Sequence, residues 1–461
     1  MTDEDAGNVI RLHPDKPEWA QIDWLPTGEN LVEEWMKANG GNFRYVDVEG
    51  QWYHFVKGCW RIDEERRVGR LSAELVRKIG EVKKRSLRMK LETPKTIAGI
   101  SNRARDECAI RADAFDHDAA INTPKGEWSG AGLRADHVRE HFHSKITAVE
   151  PADGDPILWL RFLKKIMDDN QALIDYLQRL AGYCCSTSNK EQVLVCFHGS
   201  GQNGKSVFLK TLSGILGSYA AQASIETFLA SKFDRHPEEL AAFRGVRLVV
   251  ASEPDASRAW NETMIKQITG GEKIRARFMR QNSFEYLPLF KIVVSANHKP
   301  QLRTSDKAIR RRFHIVPFTV QIADADMDLD LADKLVGEWP QIFAWMLRGL
   351  DRWKEVGLAP PEEVIAATTE YLAEQDVKGD WIEECCDTGY VAKDAVTTTA
   401  DLFASWKTYA DARGEYVGSM KALSEALQSK GFIAHRSNTA RGFRGIMVKP
   451  MHGTHSSRYG E

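Results

Sequence analysis

The chain has few cysteines in arrangements that bind metal. Its seven cysteines, an odd number, are Cys59, Cys108, Cys184, Cys185, Cys196, Cys385 and Cys386, with two adjacent pairs and no CxxC spacing. They read as reduced thiols and give no zinc site. No apolar run approaches ~18 residues, so no membrane-spanning helix is expected. The first residues, MTDEDAGNVIRLHPDKPEW, are acidic and polar where a secretory signal would be basic and then apolar, which predicts a cytoplasmic protein. An excess of positive charge is missing too. The net charge is −2, so any affinity for nucleic acid must come from local basic patches.

What is present is room for several folded units, in 461 residues of which 43% are hydrophobic. The most informative stretch runs from Val193 to Leu209 as an apolar segment, then GSGQNGKS, then an amphipathic segment. Gly199, Ser200, Gly201, Gln202, Asn203, Gly204, Lys205 and Ser206 fit the spacing GxxxxGK[ST] in the strand-loop-helix context of a phosphate-binding loop. Glycines let the backbone N–H groups point at phosphate oxygens, and the following helix adds the partial positive charge of its N-terminus. Lys205 would neutralise phosphate charge and Ser206 would hold Mg²⁺, which makes ATP with Mg²⁺ the expected cofactor. A tight glycine-rich turn without a ligand is the alternative.

The downstream order narrows the use of the nucleotide. The apolar strand that starts at Arg247 ends in Glu253, placed to hold Mg²⁺ and polarise water. A second apolar strand from Phe290 ends in Asn297, an amide within reach of a γ-phosphate or the water. Arg310, Arg311 and Arg312 precede a third strand ending near Phe318, and one of these arginines could fork onto a neighbouring subunit's nucleotide. Between Glu253 and Asn297, Lys273, Arg275 and Arg277 alternate with Ile274, Ala276 and Phe278. This is a half-buried strand that turns near Arg280 and Gln281 and returns through Phe284. Such a hairpin could grip a DNA backbone; a charged surface hairpin is the plainer alternative.

Around this centre the chain divides into six segments: a loose tail over 1–20, a mixed α+β domain over 21–150, a helical collar over 151–190, the nucleotide domain over 191–358, a helical linker over 359–380 and a basic module over 381–461. The segment 42–63 reads as a β-hairpin about Glu49-Gly50, with Tyr45, Val48, Trp52, Phe55 and Trp60 as strand residues forming core rather than a base-stacking surface. From Glu64 to Arg111 the pattern is helical with a solvated basic face. In the last module two helices, 399–412 and 419–430, precede two short strands, which suggests a winged-helix unit. No acidic residue occurs from Ala426 to Gly460, while Arg436, Arg441 and Arg444 are cationic. This bias fits either a DNA-contacting face or a basic tail.

The order GSGQNGKS, LVVASEP, MIKQITGGEKIRARF, KIVVSANHKPQL and AIRRRFHIVPF resembles the C-terminal helicase part of phage and plasmid primase-helicases, in helicase superfamily 3. The similarity extends upstream through Phe115-Asp-His-Asp118 and Ala120–Gly126, and downstream through Pro361–Tyr371, covering most of the chain from about Asn42. It implies an α/β fold with an AAA+-like P-loop ATPase domain, flanked by the mixed N-terminal domain, the collar and the winged-helix-like domain. It also implies a ring, most often a hexamer, with ATP between subunits. By the same resemblance Lys205, Ser206, Glu253 and Asn297 match the family's nucleotide residues. The arginine finger falls best on Arg312 with Arg311 as rival, and Arg280 and Gln281 form the DNA-contacting tip. Primase signatures are missing from residues 1–150, so primer synthesis is expected to be absent or supplied by a separate primase. The expected function is a DNA helicase of phage or mobile-element replication, acting on single-stranded and forked DNA in a bacterial host cell. The alternatives are an origin-binding remodelling ATPase without processive unwinding, and a small-molecule P-loop kinase.

Overall fold

The structure, a computed structural model, describes residues 27–81, 85–230, 237–252, 259–278, 283–297, 300–302, 307–374, 376–389, 392, 395–413, 415, 417–436 and 441–449. The expected tail over 1–20, Glu253, Arg280 and Gln281 lie outside the described residues.

The N-terminal unit opens with α1 (Gly28–Asn39), capped by the Thr27 hydroxyl, which accepts from the Asn30 N–H at 3.3 Å. Strands β1 (Phe43–Val46), β2 (Gln51–Val56) and β3 (Cys59–Ile62) form an antiparallel meander. The expected hairpin therefore gains a third strand. It turns at Lys57 and Gly58, whose φ values of 48° and 73° are the left-handed pair that a two-residue hairpin loop requires. Trp60 is buried, Tyr45, Trp52 and Phe55 are half-buried, and Val48 is exposed, so the aromatics serve mainly as core.

Helices α2 (Arg67–Glu81), α3 (Arg85–Leu91) and α4 (Pro94–Glu107) complete that core. Val68, Leu75, Val76 and Ile79 of α2 recur at helical spacing and pack with Trp35, Phe43 and Ile100. Arg88 and Lys90 face solvent as the sequence indicated. A second meander, β4 (Ile121–Thr123), β5 (Gly126–Ser129) and β6 (Gly132–Arg134), follows.

Helices α5 (Ile157–Ile166) and α6 (Gln171–Cys185) do not stand apart as a collar. They share one core with the central sheet. That sheet is parallel throughout, in the order β13-β7-β12-β9-β8: β7 (Leu194–His198), β8 (Ala220–Ser224), β9 (Leu248–Ser252), β12 (Lys291–Ala296) and β13 (Phe313–Pro317). Its Val- and Ile-rich strands are buried on both faces, as a covered parallel sheet demands. Side-chain alternation sorts them: Val195, Phe197, Val250 and Val293 join α5, α6 and α7 (Lys205–Leu216). Cys196, Val249, Ile292 and Val294 face the opposite layer. That layer contains α8 (Pro237–Ala242), α9 (Glu262–Thr269) and the antiparallel hairpin β10 (Ile274–Arg277) and β11 (Ser283–Tyr286).

After the short helix α10 (Lys307–Arg310) and β13 come α11 (Leu331–Val336), α12 (Trp339–Val356) and α13 (Glu362–Glu374). α12 crosses α6 at a pair of glycines, where a Cβ on Gly182 would lie 2.0 Å from Leu350 N and one on Gly349 would lie 2.0 Å from Gln178 O. Any larger residue would push the two helices apart.

The C-terminal module comprises α14 (Val377–Cys385), β14 (Cys386–Asp387), β15 (Val396–Thr398), α15 (Thr399–Ala412), α16 (Met420–Ser429), β16 (Ile433–Arg436), β17 (Arg441–Arg444) and β18 (Met447–Val448). Trp381, Leu402, Trp406, Leu427 and Phe443 form its own core. Both helices fall where the sequence placed them, and the stretch after them holds three strands, β16, β17 and β18, where two were expected.

Two arginines tie the N-terminal unit to the sheet. Arg247, buried at the foot of β9, donates to the carbonyls of Cys185 at 2.6 Å, Ala120 at 2.7 Å and Asp118 at 3.2 Å. Arg244 pairs with buried Glu49 and donates to the Tyr53 hydroxyl at 3.0 Å.

Candidate functional site

The loop Gly199–Ser206 joins β7 to α7 at the carboxyl end of the parallel sheet, the edge at which open α/β sheets bind ligands. Two of its glycines are sterically required. A Cβ on Gly199 would lie 2.2 Å from the Phe318 carbonyl oxygen, and Gly204 has φ +82° with a would-be Cβ 2.6 Å from Ile166. The loop is braced from the segment after β13. Ile322 N donates to the Gln202 carbonyl at 2.8 Å, the Gln202 side chain donates to Asp324 Oδ1 at 2.8 Å, and Asn203 Nδ2 donates to Phe318 O at 3.3 Å.

Lys205 begins α7 and is 4% exposed. Its ammonium donates to Gly199 O at 2.6 Å and to Asn297 Oδ1 at 3.2 Å. Asn297 follows β12, which pairs directly with β7, so parallel pairing brings the loop lysine and the strand-end amide together. The first turn of α7 adds N–H groups and a positive dipole end.

The loop opens into a cleft of about 580 Å³, lined by Gly201–Val207, Ser295 and Asn297 on one side. Arg161, Phe162 and Lys165 of α5 and Asp326–Asp328 close it on the other. That volume lies within the range of small-ligand pockets. Ser200 and Ser206 are exposed, and Ser206 lines the cleft. Sequence reasoning missed Arg161 and Lys165. Their spacing of four places both on one helix face, but no motif marks them as cleft residues.

The two candidate finger arginines differ in environment. Arg312 is 7% exposed, and its guanidinium donates to Thr269 Oγ1 at 3.0 Å and to the Ala308 carbonyl of its own chain. So held, it braces α9 and α10 and does not reach outward. Arg311 is exposed, and its side chain meets Gln192 Oε1 at 3.4 Å.

The hairpin follows the expected alternation. Ile274 and Ala276 are buried while Lys273, Arg275 and Arg277 are exposed. Arg275 donates to Ser283 Oγ across the hairpin at 3.0 and 2.7 Å. In the C-terminal module Arg436 stands directly opposite Arg441 in the antiparallel pair, and both are exposed, as is Arg444. None of the three forms an ion pair among the described residues.

Residues 32–168 match a family described as D5 N terminal like, and residues 197–312 match a family of unknown function (DUF5906). A "Putative helicase" of Acanthamoeba polyphaga mimivirus is 30% identical over 241 residues, 48% of this chain and 25% of the viral protein. "Putative helicase 022R" of Frog virus 3 (isolate Goorha) is 28% identical over 265 residues, 51% of this chain and 27% of that one. The chain fits a phage primase-helicase C-terminal region.

These alignments span about a quarter of each viral relative. Of solved structures, the A form apo structure of the NrS-1 C terminal region aligns with 92% of this chain and 100% of its own, with a TM-score of 0.50 at 12% identity. That likeness concerns the fold. Within this primase-helicase-like region, one matched segment spans the N-terminal unit through α5. The other runs from β7 to Arg312 and so includes the glycine loop, β9 and β12. No described helix is long and apolar enough to cross a membrane.

Proposed function

We propose that the chain is an ATP-dependent DNA helicase of phage or mobile-element replication, a ring-forming superfamily 3 motor with a P-loop ATPase domain of AAA+ type. The reading rests on the convergence of Lys205 and Asn297 over the glycine loop at the carboxyl ends of β7 and β12. In this reading the loop N–H groups and Lys205 hold the β- and γ-phosphates of ATP. Ser206 and Glu253 hold Mg²⁺, and Asn297 orients the attacking water. Arg161 and Lys165 close the cleft from α5 and add positive charge beside the phosphates.

Buried Arg312 is given a bracing role, and Arg311 becomes the arginine that acts on the nucleotide of an adjoining subunit in a hexamer-like ring. The basic hairpin, together with Arg280 and Gln281, which the sequence assigns to its turn, follows single-stranded DNA.

The test is steady-state ATP hydrolysis with and without single-stranded DNA, paired with strand displacement on a forked duplex. Strong stimulation together with displacement supports the helicase. Hydrolysis indifferent to DNA overturns it. Stimulation without displacement favours a second reading, an origin-binding remodelling ATPase. The facing Arg436 and Arg441 of a winged-helix-like C-terminal module speak for that second reading.

A further inference from the structure

Four side chains of the N-terminal unit converge far from the nucleotide cleft in sequence. Asp118 precedes β4, Glu127 lies on β5, and His141 and His143 lie on the returning segment. Phe142, between the two histidines, has φ 48° and ψ 39°. A non-glycine residue in the left-handed region is costly, on the order of 1–2 kcal/mol, and here it turns the chain between the two rings. Their centroids are 6.0 Å apart with planes at 89°.

The distances describe a donor cluster. His141 Nδ1 is 2.6 Å from Glu127 Oε2 and 3.6 Å from Asp118 Oδ2, and His143 Nε2 is 3.8 Å from Glu127 Oε1. One ligand atom each from Asp118, His141 and His143 lies within 4.8 Å of the others. Donors around a tetrahedral Zn²⁺ with bonds of about 2.0–2.1 Å stand roughly 3.3 Å apart, so small side-chain movements would close the cluster on an ion.

His143 supplies the second observation. It is 2% exposed, yet neither ring nitrogen has a hydrogen-bond partner. A buried, unsatisfied imidazole is expensive, and buried polar groups without partners call for an explanation such as an ion.

We propose that Asp118, His141 and His143 ligate one divalent transition-metal ion of the zinc class, with the buried carboxylate of Glu127 beside both imidazoles balancing its charge. Two nitrogens with one carboxylate suit Zn²⁺ over the oxygen-seeking Mg²⁺ and Ca²⁺. The ion would clip the segment before β4 to the returning segment of the N-terminal unit. It would also sit next to the sheet, because the Asp118 carbonyl accepts from Arg247 at the foot of β9.

The experiment uses the full chain without a polyhistidine tag, stripped with a chelator and titrated with Zn²⁺ and Co²⁺ in the absence of nucleotide. The expected result is one equivalent of metal per chain, tetrahedral cobalt absorption, and a rise in thermal midpoint with Zn²⁺. His143→Ala and Asp118→Asn should each weaken binding at least about 10-fold, the scale at which even outer partners of a metal ligand act. Asp118→Asn, at a half-exposed position, carries the test if His143→Ala does not fold. Lys205→Ala should keep the full equivalent, separating this ion from any Mg²⁺ held with nucleotide. Substoichiometric uptake by the wild-type chain, or undiminished uptake by Asp118→Asn, would overturn the proposal.

Discussion

The Lys205 ammonium donates to Asn297 Oδ1 at 3.2 Å across the ends of two neighbouring parallel strands. A bound triphosphate would compete for that ammonium, since a charge-assisted contact to phosphate is about twice as strong as one to a neutral amide. The amide would then be released toward the γ-phosphate and its water. Lys205→Ala should lower ATP turnover by a factor on the order of 10²–10³, the scale for losing a group that stabilises transition-state charge. Asn297→Ala should lower turnover but leave nucleotide affinity within a few-fold. Turnover and nucleotide-binding assays on both variants check this, and undiminished hydrolysis by Lys205→Ala would remove the site.

Arg311 and Arg312 are adjacent in sequence and opposite in environment. Arg312→Ala strips a buried guanidinium from Thr269 and Ala308 and should destabilise the fold by roughly 1.5–3 kcal/mol, the range for hydrogen bonds to a charged group. Arg311→Ala should leave the urea midpoint unchanged and abolish assembled-state hydrolysis. Denaturation and turnover measured on the same two variants separate the roles, and a wild-type rate for Arg311→Ala would return the finger to Arg310 or Arg312.

Where one residue type at a fixed spacing carried the signal, the sequence sufficed. Examples are the loop from Gly199 to Ser206, the alternation from Lys273 to Phe278, and the helix from Thr399 to Ala412. Residues assembled by long-range packing were not legible. Arg312 meets Thr269 forty-three positions away, and nothing in the run of three arginines distinguishes the buried one. Arg161 and Lys165 become cleft residues because α5 packs beside the glycine loop. Asp118, His141 and His143 sit on irregular backbone with no period, and no spacing in the sequence marks them as neighbours.

His314 sits on edge strand β13, with its Nδ1 2.8 Å from the Tyr176 hydroxyl. Burial lowers its pKa to about 4, against roughly 6.5 in the unfolded chain. Between those values the unfolded state binds the extra proton, so stability is full above about pH 6.5 and is lost as pH falls toward 4. The loss attributable to this group is on the order of 2–3 kcal/mol. Urea unfolding at pH 7 and pH 5 should show a smaller difference for His314→Gln than for the wild-type chain. Equal differences would show that acidic carboxyl groups, and not this ring, set the slope.

Arg436 and Arg441 are cross-strand partners, and neither forms an ion pair among the described residues. Like charges in that register destabilise a sheet by roughly 0.2–1 kcal/mol, a cost that a polyanion would offset. If the C-terminal module contacts DNA, replacing both with Gln should raise its stability slightly while weakening DNA binding. The slope of log affinity against log salt should also fall by about one for each lost phosphate contact. Fluorescence-anisotropy titrations from low to high salt, with denaturation on the same variant, read both effects. The opposed signs are the useful feature, because misfolding would lower stability and affinity together. A variant that gains stability and binds DNA with unchanged affinity and salt slope would assign the basic strands to another partner.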